Sequence, residues 1–160
     1  ETTITENDSE KKYYSLNELV IRDINLNVFK SEIFIDGVKL ENFAGDGLLI
    51  ATSVGSSAYN ISLNGALVYN TLHTIQINPI SPLNTSAYRN LLNPVILPEK
   101  SLVEILPSKS SVTIMCDGEI EKHESITKIE CSVKDKKLKF LRMKEYEFIN
   151  IVNKKFLTEK

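Results

Sequence analysis

The chain has 160 residues, a formal net charge of −2 and 42% apolar residues. A chain of this length makes one domain and buries roughly 70% of its unfolded surface. The near-neutral balance excludes a global basic field for nucleic acid, and no stretch approaches the ~18 consecutive apolar residues of a membrane-spanning helix.

Residues 1–12 are polar, with Glu1, Glu6, Asp8 and Glu10 among them, and read as a flexible leader. The chain opens on Glu1, not Met, carries no secretory signal, and reads as a piece cut from something longer. Residues 13–144 read as a β-rich domain. "LNELVIRDINLNVF" places Leu19, Ile21, Ile24, Leu26 and Val28 in near-alternation, predicting a half-buried strand that is bent or bulged. "EIFIDGVKLENF" predicts a hairpin, because Asp36-Gly37 supplies the positive φ angles of a tight turn. "TIQINPI" and "NPVILP" are short strands bounded by Pro, and "SLVEILP", "SVTIMCDGEIE", "ITKIECSV" and "KLKFLRM" continue the pattern, with a second hairpin at Asp117-Gly118. Many short strands at even spacing predict an all-β, sandwich-like fold.

Two segments break the β pattern. "SSAYNISLNGA" has a hydroxyl N-cap and a Gly65 stop, predicting a short helix. At residues 145–160, Phe148, Ile151, Val152 and Phe156 recur near helical spacing, with Glu145 and Glu147 early and Lys154 and Lys155 late. That predicts a C-terminal amphipathic helix in need of a surface. Residues 134–160 hold nine bases and four acids, either a solvated face or a surface toward phosphates. Cys116 and Cys131 match no zinc pattern and no disulfide framework, which implies a reducing, cytoplasmic setting.

Chemistry concentrates at "GDGLLIATSVGSSAYNIS". The hydroxyls and backbone N–H groups at a helix start could cradle ribose, phosphate or carboxylate, or simply form a capped loop. Asp46 is an acceptor suited to vicinal hydroxyls or an amide; equally, Asp46-Gly47 could be a third hairpin turn. Tyr59 offers a ring face on which a base can stack. Asn17, at a strand start, presents the donor–acceptor pair that matches an adenine edge, or else caps a turn.

"LNELVIRD", "GDGLLIATSVGSSAY", "SLNGALV" and "PVILP", in this order, resemble the C-terminal domain of NAD kinases, from about Leu16 to the C-terminus. The resemblance implies the all-β NAD kinase C-terminal fold and a dinucleotide site. It implies that Asn17 and Glu18 meet the adenosine end of NAD and that Asp46 bonds NAD in the cleft. Ser57, Ala58, Tyr59, Asn60, Ile61 and Ser62 would line the dinucleotide. Ser81 and Tyr88 would reach toward the nicotinamide, and Asp117, Gly118 and Glu119 toward the pyrophosphate. Val54 replaces a family hydroxyl, Ala44 replaces a common basic residue, and Asn64 replaces a family glycine. The family's Gly-Gly-Asp-Gly loop, whose Asp activates the ribose 2′-hydroxyl, has no match in these residues.

The resemblance further implies a kinase that moves phosphate from ATP or polyphosphate to the 2′-hydroxyl of NAD, giving NADP. Mg²⁺ or another divalent metal would act on the donor phosphates, and a homo-oligomer, dimer or tetramer, is expected. The fragment alone is expected to be inactive, with no catalytic residue and no metal ligand of its own. Its C-terminal helix would pack on the family's N-terminal domain. Nucleic-acid and membrane partners are not expected. The competing readings are a non-catalytic NAD(P)-binding module and a lipid or diacylglycerol kinase relative.

Overall fold

The strands run in chain order as β1 (Thr2–Glu6), β2 (Ser9–Tyr13), β3 (Glu18–Asp23), β4 (Phe29–Ile35), β5 (Val38–Gly45) and β6 (Gly47–Thr52). After a short helical segment come β7 (Thr74–Ile80), β8 (Val95–Pro98), β9 (Val103–Pro107), β10 (Val112–Cys116), β11 (Glu119–His123) and β12 (Ile126–Cys131). The computed structural model describes residues 1–69, 71–134, 138, 141 and 147–157. Among them the strands form two six-stranded sheets. One has the order β2-β1-β12-β9-β4-β5, the other β11-β10-β3-β6-β7-β8, and the pairs are antiparallel.

The sheets face each other across one apolar layer. Ile4, Phe29, Ile33, Phe43, Ile105 and Ile129 come from the first sheet, and Leu19, Ile21, Leu48, Ile50, Ile77 and Ile114 from the second. Each such side chain contributes ~1.5–3 kcal/mol when fully buried. The second sheet is dry on its other face as well, where Val20, Leu49, Ala51 and Ile80 form a separate cluster beneath Tyr59, Leu63 and Met115. β3 and β6 are therefore buried on both faces, which is why Leu48–Ile50 read as a continuous apolar run rather than an alternating one.

Turn chemistry sets the hairpins. Asp36 (φ 51°) and Gly37 (φ 78°) join β4 to β5, and Asp117 (φ 47°) and Gly118 (φ 94°) join β10 to β11, as their sequences require. Asp46-Gly47 is not a third hairpin. Asp46 lies where the chain leaves one sheet at Gly45 and enters the other at Gly47.

Three expectations are corrected. Residues expected as a flexible leader form the β1–β2 hairpin, turned by Asn7 (φ 48°) and Asp8 (φ 59°). It is held by side chains from far along the chain. His123 Nδ1 lies 3.0 Å from Glu6, His123 Nε2 lies 3.2 Å from the Tyr13 hydroxyl, and Lys11 and Tyr13 both donate to Glu121 at 2.6 Å. The single bent strand expected over residues 16–29 is β3 (Glu18–Asp23) followed by a turn, and β4 of the opposite sheet begins only at Phe29. Asp23 Oδ1 accepts from the backbone of Asn25 and Asn27 and from the Asn27 amide, and with Leu26 at φ 59° this breaks the run. The hydroxyl N-cap is absent too, since neither Ser53 nor Ala58 caps a helical turn through its side chain.

The C-terminal helix is described from Glu147 onward, as α-helix at Phe148–Val152 and a wider π turn at Asn153–Leu157. Its Glu145 start and most of "KLKFLRM" lie outside the described residues. Phe148 packs against Tyr69 with ring centroids 4.8 Å apart and planes tilted by 54°, and Lys155 Nζ donates to the Ser57 carbonyl at 2.6 Å, while Ile149 and Leu157 stay exposed.

Candidate functional site

Strand register fixes which residues share the outer face of the second sheet. On β3 these are Glu18, Val20 and Arg22. Val20 lies opposite Met115 and Leu49, Arg22 opposite Thr113, and Glu18 opposite Ala51. On β7, Asn78 lies opposite Leu49 and Gln76 opposite Ala51. Directly opposed residues project to the same side, so these form a continuous floor with polar corners.

Over this floor β6 leads into a 3₁₀ turn at Val54–Ser57 and one α-turn at Tyr59–Ser62. Tyr59 lies along β3: its backbone N–H faces the Glu18 carboxylate, its side chain packs on the Val20–Leu49 cluster, and its hydroxyl accepts from Arg22 Nη2 at 3.2 Å. Two glycines permit this packing. A Cβ on Gly55 would sit 2.0 Å from the Asn17 carbonyl oxygen, and one on Gly47 would sit 2.3 Å from the Ile21 oxygen and 2.8 Å from Arg22 Cγ.

A buried amide network fixes the segment from below. Asn60 Nδ2 donates to the carbonyls of Ser56 and Ala66, and Asn78 Nδ2 donates to Asn60 Oδ1 and to the Leu63 carbonyl. Gln76 accepts from Ala66 N–H and donates to its carbonyl. Asn64 takes the left-handed conformation (φ 58°) after the turn, before Gly65. Asn60 was expected to line a dinucleotide. It is fully buried with its amide bonded within the protein, so it shapes the segment instead of facing a ligand.

Asp117 has a role the sequence does not reveal. Its carboxylate accepts the backbone N–H groups of Leu16, Asn17 (2.8 Å) and Glu18 (3.0 Å). The Asp-Gly turn thereby clamps the Asn-Glu pair from 100 residues away. Thr52 adds a bond from its hydroxyl to the Leu16 carbonyl at 2.7 Å and from its N–H to the Asn17 carbonyl at 2.9 Å.

Glu18 is 7% exposed, and its Oε2 has no hydrogen-bond partner among the described residues. Burial is the main cause that raises its carboxyl above the usual range, with the Asp117 charge adding and the Tyr59 N–H opposing. An acceptor held in that state answers a ligand donor more strongly than a solvated carboxylate does.

The structure brings Asn17, Glu18, Ala58 and Tyr59 together with Asp117. Asp46 is exposed at the sheet junction, with its N–H on the Ile80 carbonyl, and the exposed Ser81 follows at once (φ 45°). Ser57 gives its carbonyl to Lys155; Ile61 is half-buried and Ser62 exposed. Gly118 and Glu119 are exposed at the β10–β11 turn. Tyr88 stands apart in its contacts, its hydroxyl taken by Lys30 Nζ at 2.6 Å and its N–H by Thr85. Arg22, Asn78 and Gln76, which the sequence did not single out, share this floor. Arg22 had a signal, since it falls two and four residues after Val20 and Glu18 on one strand face.

A cavity of about 560 Å³ opens at the other end of β3, lined by Asp23, Asn27, Phe29, Lys30, Ser108 and Lys109 among others. It is remote from the Glu18 end and is not the site assembled by the motifs. Among the described residues no group of three or more His, Cys, Asp or Glu side chains is gathered to hold a metal. No helix among them is long and apolar enough to cross a membrane.

Residues 16–143 match the family model described as the ATP-NAD kinase C-terminal domain. The chain is 31% identical over 160 residues to an NAD kinase of Finegoldia magna, covering 96% of this chain and 58% of that protein. It is 37% identical over 147 residues to an NAD kinase of Streptococcus agalactiae, covering 91% of this chain and 53% of that protein. The chain thus spans somewhat over half the length of these curated relatives. Among solved structures it is similar to yeast NADH kinase complexed with NADH, with TM-score 0.68 and 27% identity over 81% of this chain and 38% of that one. An NAD kinase from Archaeoglobus fulgidus in complex with ATP shares the fold, with TM-score 0.64 and 20% identity over 84% of this chain and 51% of that one.

Proposed function

The chain belongs to the ATP-NAD kinase C-terminal domain family, and on that premise we propose that it is the dinucleotide-holding part of an NAD kinase. The reaction would move a phosphate from ATP or polyphosphate to the 2′-hydroxyl of the adenosine ribose of NAD. The observation that carries this reading is the fixed pair Asn17–Glu18 beside Tyr59, with an unpartnered buried carboxylate oxygen facing the group. Solved relatives bound to NADH and to ATP support nucleotide ligands of these kinds.

The domain's own residues bind and orient. Asn17 and Glu18 receive the adenosine end, with Glu18 as acceptor for an exocyclic or hydroxyl donor. Tyr59, seated on Val20, offers its outer ring face to a base, and such stacking is worth ~1–3 kcal/mol. Asp46 accepts from ribose or carboxamide, and Ser57, Ala58, Ile61 and Ser62 form the adjoining wall. Ser81 lies beside Asp46 on the nicotinamide side, and Gly118 and Glu119 border the Asp117 clamp. A divalent metal such as Mg²⁺ would neutralise donor phosphates when bound. Among the described residues no group of three or more His, Cys, Asp or Glu side chains is gathered to hold it.

These 160 residues contain no Gly-Gly-Asp-Gly, so the general base that takes the 2′-hydroxyl proton lies elsewhere. Such a base contributes ~10²–10⁴ in rate. The chain by itself binds NAD without phosphorylating it. Packing of the C-terminal helix on the rest of the enzyme would cover its exposed Ile149 and Leu157. Homo-oligomerisation and a cytoplasmic location complete the reading.

Calorimetry with NAD tests it. Asp46→Asn and Tyr59→Ala should each weaken NAD binding about tenfold or more. If both leave the affinity unchanged, the site is misassigned.

A further inference from the structure

The site as assembled is acidic: Glu18, Asp46 and Asp117 border it, whereas a dinucleotide carries a pyrophosphate. Arg22 is rooted on the central strand β3, two positions beyond Val20, on the same face as Glu18. Its side chain passes over Gly47, where a Cβ would come within 2.8 Å of Arg22 Cγ, and Nη2 donates to the Tyr59 hydroxyl at 3.2 Å. That bond engages one donor of a planar fork of five. Among the described residues the guanidinium makes no ion pair and has no second protein acceptor. A half-buried guanidinium beside an aromatic seat, held by one neutral hydroxyl, keeps both its charge and its remaining donors for an anion. Lys155 also reaches the site, but its ammonium is bonded to the Ser57 carbonyl.

We propose that Arg22 is the phosphate-recognising cation of the dinucleotide cleft, with the Tyr59 hydroxyl aiming it. This rests on the dinucleotide reading above. Tyr59 would join the two ends of the subsite: its ring seats the base, and its hydroxyl fixes the fork that meets the pyrophosphate. Gly47 would be required for the same reason, because any side chain there obstructs the path of Arg22.

The test compares ligands with and without a pyrophosphate on the full chain. Binding of NAD, ADP-ribose and adenosine is measured by calorimetry and ligand-observed NMR for the wild type, Arg22→Gln, Arg22→Lys and Tyr59→Phe. Arg22→Gln is expected to weaken NAD and ADP-ribose about tenfold or more and to flatten the salt dependence of both, with adenosine changed less than twofold. Arg22→Lys should recover part of the loss, and Tyr59→Phe should cost less than Arg22→Gln. Equal weakening of all three ligands by Arg22→Gln would mean that Arg22 only seats Tyr59, and no weakening at all would mean that it faces solvent; either overturns the proposal. A wild-type chain that binds adenosine but gains nothing from the pyrophosphate also overturns it. A wild-type chain that binds none of the three overturns the function reading itself, and this inference with it.

Discussion

Glu18→Gln should make the ligand-free protein more stable and a poorer NAD binder. Glu18 is 7% exposed, with Oε2 unpartnered, and burial is the main cause of its raised carboxyl pKa. A buried polar atom without a partner costs ~1–3 kcal/mol, more when charged. Gln keeps the shape and an oxygen for the Tyr59 N–H, and it removes the charge. The gain at pH 7.5 is about 1–2 kcal/mol. The sign follows from the direction of the shift: a carboxyl raised in the folded state favours folding most below its unfolded value near ~4.3, and that contribution is lost as pH rises through the folded value. The variant's advantage therefore vanishes near pH 4 and is full at neutral pH. With a urea slope of ~2 kcal/mol/M, it moves the unfolding midpoint up by about 0.5–1 M at pH 7.5. NAD affinity should fall about tenfold or more, because Gln offers one acceptor oxygen and no charge where the carboxylate offers two oxygens. A loss of stability that is equal at both pH values would refute the burial argument. Unchanged NAD affinity would refute the ligand role.

Other perturbations probe the scaffold. Asp117→Asn keeps a residue tolerant of φ 47° but weakens the three-amide clamp on Leu16, Asn17 and Glu18; it should cost ~1–2 kcal/mol, read as a melting shift of ~2–4 °C per kcal/mol, and weaken NAD in calorimetry. Gly55→Ala places a Cβ 2.0 Å from the Asn17 oxygen and should cost ~1–3 kcal/mol, with faster amide exchange at Thr52, whose N–H bonds that same oxygen. Glu6 is held below the usual carboxylate range, chiefly by its bond to His123. That contribution is present above the unfolded value near ~4.3 and is lost as pH falls through the folded one, so Glu6→Gln should flatten the acid limb of the stability profile measured by urea unfolding.

What could be read in advance was what is local. Asp36-Gly37 and Asp117-Gly118 announce their hairpins because the turn is encoded in the two residues that make it. The continuous apolar run Leu48–Ile50 marks a buried strand for the same kind of reason, and only the structure shows that both its faces are dry. The β1–β2 hairpin escaped because β2, "SEKKY", has no apolar alternation; Tyr13, Lys11 and Glu6 find Glu121 and His123 more than 100 residues away. The break at Asp23 shows in the sequence only as a slip of phase between Ile21 and Ile24, which a bulge would produce equally well; the decision rests on one carboxylate bonding the Asn25 and Asn27 backbone. At the candidate site, residue types pick out a segment but not the contacts each residue makes. Asn60 and Asp117 resemble ligand groups in sequence, yet the structure bonds both to the protein's own backbone.

The second sheet's outer face carries a wider consequence. Because Val20, Leu49, Ala51 and Ile80 are dry on the side that also presents the ligand groups, floor and core are the same atoms. Most substitutions there would be removed for misfolding before they were tested for binding. Invariance at these positions, wherever the fold recurs, would then record the demands of folding as much as those of recognition. Freedom to change specificity would fall to the rim, at the exposed Asp46, Ser62 and Ser81, where a side chain can be exchanged without reopening the sheet.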